Sequence, residues 1–225
     1  MRETTPVAGQ AGRQGERMSG LHFHPLTPER WPDLEALFGP RGACAGCWCM
    51  WWRIPRTAWD RQRGDGNREA FHTLVAAGTV PGILAYADGR PVAWCAIQPR
   101  VAYPALERSR ILKGVDDQPV WSVTCFYVAK GHRRQGLTVR LLQEAIAYAR
   151  GQGAVLVEGY PVAPRKDTLP DVYAFTGTVS AFQQAGFVEV ARRSETRPIM
   201  RCDAGEATLK HEVALRAPHE RLQSR

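Results

Sequence analysis

The segment that organises this chain reads Val128-Ala-Lys-Gly-His-Arg133-Arg-Gln-Gly136-Leu-Thr138. The residues before it, 121–128, are rich in β-branched and aromatic side chains and predict a buried strand. The residues after it carry apolar side chains at helical spacing, and Gly151 is placed to end that helix. A strand that leads through a basic loop into a helix can bind an anion, because the first backbone N–H groups of the helix have no internal partner. The sequence therefore predicts a phosphate-binding turn.

This turn resembles the acetyl-CoA signature of the GNAT-type N-acetyltransferases, Arg/Gln-x-x-Gly-x-Gly/Ala. Here the pattern reads Arg133-x-x-Gly136-x-Thr138, and the family's valine five residues before the arginine is present as Val128. Thr138 departs from the pattern because threonine is larger than glycine or alanine. The strand and the helix that the signature needs are predicted on its two sides. The nucleotide loop of Walker type and the dinucleotide pattern Gly-x-Gly-x-x-Gly are absent from this turn.

A second stretch of the chain resembles the same family. Many members end a helix with Tyr-x-x-x-Gly-Phe before their last strands, and this chain has Phe182-Gln-Gln-Ala-Gly186-Phe187 followed by the strand-like residues 188–191. The resemblance covers residues 21–202 in the order of elements. It implies an α/β fold in which helices flank a mixed central β-sheet, and in which a splayed pair of parallel strands holds acyl-CoA.

Patterns elsewhere in the chain agree with this order. Asp88-Gly89 predicts the turn of a β-hairpin between two apolar strands. Thr27 and Pro28 predict the cap and first turn of a helix that runs to about Phe38. The remaining predicted elements are strands at 21–24, 83–87, 92–97 and 154–160, and a helix at 67–77 with Asn67 as its N-cap.

The composition of the 225 residues, 44% hydrophobic and 23% charged, predicts one globular domain. The net charge of +8 indicates an anionic partner, and nucleic acid, anionic lipid and the phosphates of CoA would all satisfy it. Part of this charge lies near the chain ends, so charge alone does not choose among these partners. Nucleic acid is the weakest of these hypotheses, because the chain lacks aromatic and basic residues interleaved on a recognisable scaffold.

The two ends of the chain differ in composition from its middle. Residues 1–20 have almost no bulky apolar side chains and predict a disordered extension. Residues 21–202 form the predicted acyltransferase domain, and residues 203–225 predict a charged tail. No long apolar segment is present, so we expect a cytoplasmic protein without a membrane partner. A homodimer is compatible with the sequence.

The resemblance implies how the chain would bind its co-substrate, acetyl-CoA. Backbone N–H groups of the turn would hold the pyrophosphate, arginines would add charge-assisted contacts, and residues at the end of the strand would line the pantetheine arm. No metal ion is expected. The residues that these roles assign to cofactor binding are Phe126, Val128, Arg133, Arg134, Gln135, Gly136, Leu137 and Thr138.

The attacking amine needs to lose a proton. An alkylammonium group has a pKa of about 10.4, so a general base assists its attack at neutral pH. Many relatives carry a glutamate on the signature strand, but this chain has Ser122 and Thr124 there. Glu158, on the following strand, is therefore the candidate base, and Asp171, Glu107 or a water molecule are the alternatives. The other interpretation of Glu158 is a charge that is solvated or paired with an arginine.

The departing thiolate needs to gain a proton. In many relatives the tyrosine of Tyr-x-x-x-Gly-Phe is credited with this role, but Phe182 occupies the position here and cannot donate. We expect Phe182 to be a core aromatic beside Phe187. Tyr173 is the candidate acid, with Ser180 as an alternative. An unassisted thiolate is also acceptable, because a thiol with a pKa of about 8.5 is a fair leaving group.

Cysteines and tryptophans cluster in Cys44-Ala-Gly-Cys47-Trp-Cys49-Met-Trp51-Trp52-Arg53. Three cysteines so close together suggest a metal site or a regulatory disulfide, but no second pair of zinc ligands follows at the usual spacing. In relatives this region covers the acceptor site, which implies that Trp48, Trp51 and Trp52 form an aromatic wall for an apolar or cationic acceptor. Packing in the core without ligand contact is the alternative.

These features together predict an N-acetyltransferase that moves the acetyl group of acetyl-CoA to a primary amine, with a small molecule as the expected acceptor. We expect direct attack in a ternary complex, although Cys125 on the signature strand leaves a route through an acyl-enzyme open. The alternative is a catalytically silent acyl-CoA-binding regulatory protein. The absence of the strand glutamate and of the tyrosine favours that alternative.

Overall fold

The computed structural model describes residues 20–164 and 174–205. Most of the predicted N-terminal extension, the chain beyond Gly205, and the proton-transfer candidates Asp171 and Tyr173 lie outside the described residues. Within the two described ranges, no helix is long and apolar enough to cross a membrane.

The described residues form one mixed β-sheet of seven strands at the centre of the fold. Its strands are β1 (His22–Pro25), β2 (Gly82–Ala87), β3 (Arg90–Pro99), β4 (Val120–Val128), β5 (Leu156–Gly159), β6 (Val188–Arg192) and β7 (Pro198–Asp203). The order across the sheet is β1-β2-β3-β4-β5-β7-β6, in which β4 and β5 pair in parallel and the other neighbours pair antiparallel. The predicted mixed sheet with a parallel strand pair is confirmed.

Helices pack on both faces of this sheet. They are α1 (Trp31–Phe38), α2 (Arg56–Arg61), α3 (Asp65–Ala76), α4 (Pro104–Glu107), α5 (Leu137–Gly151) and α6 (Val179–Gln184). α5 packs on β2, β3 and β4, whereas α1 packs on β3. Successive side chains of β3 point to opposite faces, so Cys95 joins the apolar cluster under α5 and Trp94 joins the cluster of α1 and α3. One hydrophobic core therefore lies on each face.

The parallel strands β4 and β5 pair over a short distance. Their pairing begins at Val120 with Leu156 and ends at Val123 with Gly159. β4 then continues beside β3 as far as Val128. Residues 124–128 of β4 are therefore no longer paired with β5, and they lie at the C-terminal ends of the parallel strands, where α/β sheets bind their ligands.

Two helices begin at residues other than those predicted. α1 begins at Trp31 after a 3₁₀ turn, so Pro32 lies in its first turn, where proline is tolerated. α3 begins at Asp65, before the predicted cap. Asn67 is instead buried, and its Nδ2 donates a hydrogen bond to the carbonyl oxygen of Gly46 at 3.0 Å. Asn67 thus holds α3 against the cysteine–tryptophan segment.

The sequence patterns do not predict α2 or β7, and they predict a longer β5 over 154–160. β7 lies between β5 and β6, and its apolar pattern is interrupted by Arg201, which is only 7% exposed. A charged residue at a buried position argues against a strand when the sequence is considered alone, because burying an unpaired charge is costly. In the fold that charge is paired, as described below.

Candidate active site

The predicted phosphate-binding turn connects β4 to α5. Gly136 takes the N-cap position of this 15-residue helix with a left-handed backbone, φ 76°. Among the described residues, no side chain caps the helix and no atom lies within 4 Å of the position of a Cβ at Gly136. The first N–H groups of α5 and the positive end of its dipole therefore lie beside open space. This geometry can accept a phosphate group.

Side chains of the turn brace its backbone. Arg133 Nε donates to the carbonyl oxygen of Val128 at 2.9 Å, and Gln135 Nε2 donates to a carbonyl oxygen within the turn at 3.1 Å. Arg134 is exposed and has a left-handed backbone, φ 59°. The side chain of Leu137 is buried in the core, so its backbone N–H is the part that can meet a ligand. The turn thus combines side chains that hold its shape with backbone groups that are suited to phosphate.

Beyond the last pair with β5, β4 contacts two other segments. The N–H of Phe126 donates to the carbonyl oxygen of Phe175 at 2.6 Å. The indole N–H of Trp52 donates to the carbonyl oxygen of Thr124 at 3.2 Å. The predicted pantetheine-lining residue Phe126 therefore already pairs with the segment 174–177. A ligand that uses this N–H must first displace Phe175.

Phe182, at the family's tyrosine position, is a core side chain as expected. It has no exposed surface, and its ring centroid lies 4.8 Å from that of Phe187. A Cβ at Gly159 would lie 2.0 Å from the Phe182 ring, so the end of β5 needs a glycine to admit this ring. Ser180, the alternative acid, lies in the first turn of α6, where its Oγ is 3.2 Å from the hydroxyl of the N-cap threonine.

Glu158 lies fully buried at the centre of an ion-pair network. Its Oε1 accepts hydrogen bonds from Arg100 Nη1 at 2.7 Å and from the Tyr160 hydroxyl at 2.6 Å. Its Oε2 accepts from Arg201 Nε at 2.7 Å, and Ser122 Oγ lies 2.8 Å from the tyrosine hydroxyl. Both carboxylate oxygens are therefore engaged, which is the ion-paired interpretation of this residue. To take a proton from an amine directly, Glu158 would have to release one of these donors.

The network extends to the segments that precede β4. Arg201 binds both carboxylate oxygens of Asp116, at 2.7 and 3.0 Å, and Arg100 pairs with Glu107. The hydrogen bonds from Arg201 lower the pKa of Asp116. Burial raises the pKa of Tyr160 well above its usual range, so this hydroxyl is protonated at neutral pH. Glu107, the alternative base, is thus also paired, although its side chain is 56% exposed.

The three tryptophans occupy different environments. Trp48 is 2% exposed and stacks on Trp31 with a centroid distance of 6.1 Å, which makes it a core side chain and corrects its prediction as part of an open acceptor wall. Trp51 is 36% exposed and meets Trp52 edge to face at 6.5 Å. The guanidinium of Arg56 covers the Trp51 ring at 4.1 Å. Trp51 and Trp52 therefore remain together as a pair that Trp52 connects to β4, whereas Trp48 lies in the core.

Arg53 and Tyr103, which the sequence analysis does not single out, complete this side of β4. Arg53 Nη2 donates to the Tyr103 hydroxyl at 3.3 Å. Burial raises the pKa of Tyr103 to about 12. No local pattern marks either residue, because their contact joins parts of the chain that are 50 residues apart.

The cysteines of the cysteine–tryptophan segment are free thiols in different environments. Cys44 is exposed, Cys47 is half-buried and Cys49 is buried. Cys49 Sγ accepts a hydrogen bond from Trp94 Nε1 at 3.0 Å, and a hydrogen bond from Cys125 lowers its pKa. Across residues 20–164 and 174–205, no group of three or more His, Cys, Asp or Glu side chains could hold a metal ion. The contacts of Cys49 connect this segment to β3 and β4.

Solved acetyltransferases resemble this chain at low sequence identity. A GNAT-family acetyltransferase from Streptococcus agalactiae is 13% identical, with a TM-score of 0.49 over 82% of this chain and 95% of its own. One from Streptococcus pneumoniae is 15% identical, with a TM-score of 0.48 over 81% and 98%. The PaiA N-acetyltransferase of Thermoplasma acidophilum, in complex with CoA, is 13% identical, with a TM-score of 0.46 over 81% and 98%. No curated protein matches this sequence.

These low-identity likenesses do not by themselves establish the family of this chain, but a match to a family model does. The model of the acetyltransferase (GNAT) family matches residues 48–161, just over half of the chain. The matched range contains β2 to β5, the predicted phosphate-binding turn and α5. It therefore includes the parallel strand pair and the uncapped helix start at Gly136. The chain belongs to the GNAT acetyltransferase family and is an acyltransferase.

Proposed function

We propose that this protein transfers an acetyl group from acetyl-CoA to the primary amine of a small-molecule acceptor, by direct attack in a ternary complex. One observation carries the proposal: Gly136 opens α5 without a side-chain cap, at the end of the turn that follows β4, the strand that leaves its parallel partner. With the pyrophosphate at this helix end, the rest of acetyl-CoA would extend along residues 124–128 of β4. The thioester would then lie where β4 and β5 separate.

The proposed acceptor site lies on the side of β4 that Trp52 contacts. Trp52 reaches the Thr124 carbonyl oxygen, and Trp51 provides the more exposed end of the same aromatic pair. The faces of indole rings attract cations, so the faces of this pair that Arg56 leaves open suit the ammonium form in which an amine arrives. Separate contacts for the two substrates support a ternary complex.

Proton transfer in the proposed mechanism uses the buried network or water. The amine proton reaches Glu158 through the hydroxyls of Ser122 and Tyr160, which lie 2.8 Å apart, or it leaves through a bound water molecule. The departing thiolate takes a proton from Tyr173 or from solvent. Glu158 and Tyr173 are thus proposed roles, and the variants described in the Discussion test the first of them.

The test is a turnover assay of the purified protein with acetyl-CoA and a panel of amines, amino acids, polyamines and antibiotics. Released CoA thiol is measured with a thiol-reactive dye, and the acetylated acceptor is identified by mass spectrometry. We expect thiol release that depends on one class of acceptor. Thiol release without an acetylated amine would contradict the proposal, because it would indicate hydrolysis or another acceptor chemistry.

A catalytically silent acyl-CoA-binding protein is the second candidate. One observation favours it: both oxygens of Glu158, the candidate base, are already engaged. Calorimetry with acetyl-CoA separates the two candidates. Acetyl-CoA binding without turnover of any acceptor would favour this second function.

A further inference from the structure

We propose that the acceptor carries a carboxylate as well as its amine, and that Arg53 binds this carboxylate. The inference rests on the proposed function, because it names the class of acceptor for the same site. Amino acids and their derivatives with a free carboxylate are the chemical class that this arrangement fits.

The guanidinium of Arg53 is held by neutral groups. Nη1 donates to Gln98 Oε1 and Nη2 donates to the Tyr103 hydroxyl, while Nε is buried without a hydrogen-bond partner among the described residues. The guanidinium carbon lies 4.7 Å from the Tyr103 ring centroid and 5.7 Å from that of Phe71. A guanidinium has five N–H donors, and these two side chains use two of them. The group is therefore oriented by its neighbours and retains donors for a ligand.

Arg100 and Arg201, which are buried near β4 and β5, are paired with carboxylates, whereas Arg53 and Arg197 have only neutral hydrogen-bond partners among the described residues. Arg100 pairs with Glu107 and Glu158, and Arg201 pairs with Asp116 and Glu158. Across residues 20–164 and 174–205, Arg53 forms no such ion pair. A half-buried cation without an opposite charge is unfavourable in the free protein, and an anionic ligand group would relieve this cost.

The position of Arg53 relates this cation to the proposed reaction centre. Its partner Gln98 lies opposite Ser122 in the β3–β4 register. The residue before Arg53, Trp52, donates a hydrogen bond to the carbonyl oxygen of Thr124. Arg53 is therefore next to the residues at which β4 leaves β5. A carboxylate held there would belong to a molecule whose amine is close to the proposed thioester.

The charge around Arg53 favours a carboxylate over other groups. A single cation with neutral neighbours balances a single negative charge, whereas a phosphate dianion usually recruits further cations. The planar fork of a guanidinium also matches the geometry of a carboxylate. A diamine without a carboxylate would meet only repulsion at this position, so we expect polyamines to be poor acceptors.

The experiment compares matched acceptors and matched variants. L-Amino acids are assayed beside their carboxamides and decarboxylated amines, for example phenylalanine, phenylalaninamide and phenethylamine, and 2-aminoethyl phosphate tests the phosphate alternative. The enzyme variants are Arg53→Gln, which loses the charge, Arg53→Lys, which keeps the charge without the fork, and Arg192→Gln, a control for charge loss at an exposed ion pair on β6. Melting temperatures confirm that each variant is folded.

For the unmodified protein we expect the KM of the amino acid to be about 10- to 100-fold below that of its amide and amine, as expected from the loss of a charge-assisted hydrogen bond. Arg53→Gln should remove this difference and leave the affinity for acetyl-CoA unchanged. Arg53→Lys should restore part of it. Arg192→Gln should behave as the unmodified protein does.

A binding measurement keeps the inference separate from turnover. Calorimetry of the protein–CoA complex with the same amino acids should show affinity that Arg53→Gln weakens by a similar factor, even if the assay shows no catalysis. Equal KM values for the acid, amide and amine would overturn the inference while the proposed function stood. Amino acid binding that is unaffected by Arg53→Gln, or a preference for 2-aminoethyl phosphate, would also overturn it. Acetyl-CoA binding without turnover would contradict the proposed function but not the inference about Arg53.

Discussion

Replacement of Glu158 by glutamine tests two roles of this residue separately: an ion-pair anchor between strands and the proposed general base. Glu158 is fully buried and accepts hydrogen bonds from two guanidinium groups and a tyrosine hydroxyl. Glutamine keeps the shape but removes the negative charge, and its NH2 group would face a donor. As an anchor between strands, Glu158 should therefore matter for stability. As a base, it should matter for the pH dependence of the rate.

The expected loss of stability follows from the burial. Removing one partner of a buried ion pair costs about 3–5 kcal/mol, because the opposite charges remain buried without compensation. In a domain of this size, 1 kcal/mol shifts the melting temperature by about 2–4 °C, so we expect a decrease of roughly 6–20 °C. Urea unfolding followed by tryptophan fluorescence, and calorimetric melting, measure this loss. Glu189→Gln, at the exposed pair with Arg192, is the matched control and should change little.

The same variant is assayed for turnover between pH 6 and pH 10. A base role predicts that Glu158→Gln lowers the rate by about 10²-fold near neutral pH and less at high pH, where more of the amine is already neutral. A stable variant with an altered pH profile would refute our view of Glu158 as an anchor. A destabilised variant with an unchanged pH profile would refute the base role and transfer it to Asp171, Glu107 or water.

Other predictions concern the turn, the tryptophans and acid stability. Gly136→Asp should abolish acyl-CoA binding in calorimetry, because it places an anion at the phosphate site, with about 1–2 kcal/mol of strain from a side chain at a left-handed position. Trp51→Ala should raise the KM of the acceptor with little effect on acetyl-CoA affinity, whereas Trp48→Ala should lower stability by about 3–5 kcal/mol, as expected for a buried aromatic. Asp116→Asn should weaken the dependence of unfolding free energy on acid pH. Arg201 lowers the pKa of Asp116 from 3.8. The contribution of this ion pair to the free energy of unfolding is therefore present above pH 3.8 and is lost as the pH falls through the folded-state pKa.

Each of these predictions has a control. Gly136→Ala carries the same backbone strain without the charge, and equal CoA affinity in folded Gly136→Asp would contradict the phosphate site. A Trp51→Ala variant with an unchanged acceptor KM would remove this side chain from the acceptor site. Acid unfolding curves of Asp116→Asn that coincide with those of the unmodified protein would show that the pair with Arg201 contributes nothing.

Local patterns in the sequence are enough to predict the elements that carry the proposed cofactor site. The strand over 121–128, the glycine at its helix boundary and the amphipathic helix that follows are each defined by neighbouring residues. β7 was not predicted, because Arg201 interrupts its apolar pattern and its partners lie on β5 and in the loop before β4. A buried charge can be interpreted only when its opposite charge is known.

The acceptor side was less predictable for the same reason. Trp48 and Trp51 are three residues apart, yet one lies in the core and the other is at the surface. Trp48 stacks on Trp31 of α1, which lies earlier in the chain, whereas Trp51 contacts Trp59 of α2, which begins three residues after Arg53. Arg53 and Tyr103 likewise acquire their roles through a contact over 50 residues. Composition identified the segment, but long-range packing determined which of its side chains face the proposed site.

The carbonyl oxygen of Phe175 accepts a hydrogen bond from the N–H of Phe126, so it would compete with a cofactor that used the same N–H. If bound acyl-CoA uses this N–H, acyl-CoA can bind only to those protein molecules in which the N–H of Phe126 is free. The apparent dissociation constant is then the intrinsic constant divided by the fraction of such molecules. Affinity for acyl-CoA would therefore depend on an opening equilibrium of residues 174–177 as well as on contacts at the turn. An acceptor that stabilised the open form would tighten cofactor binding without touching the cofactor.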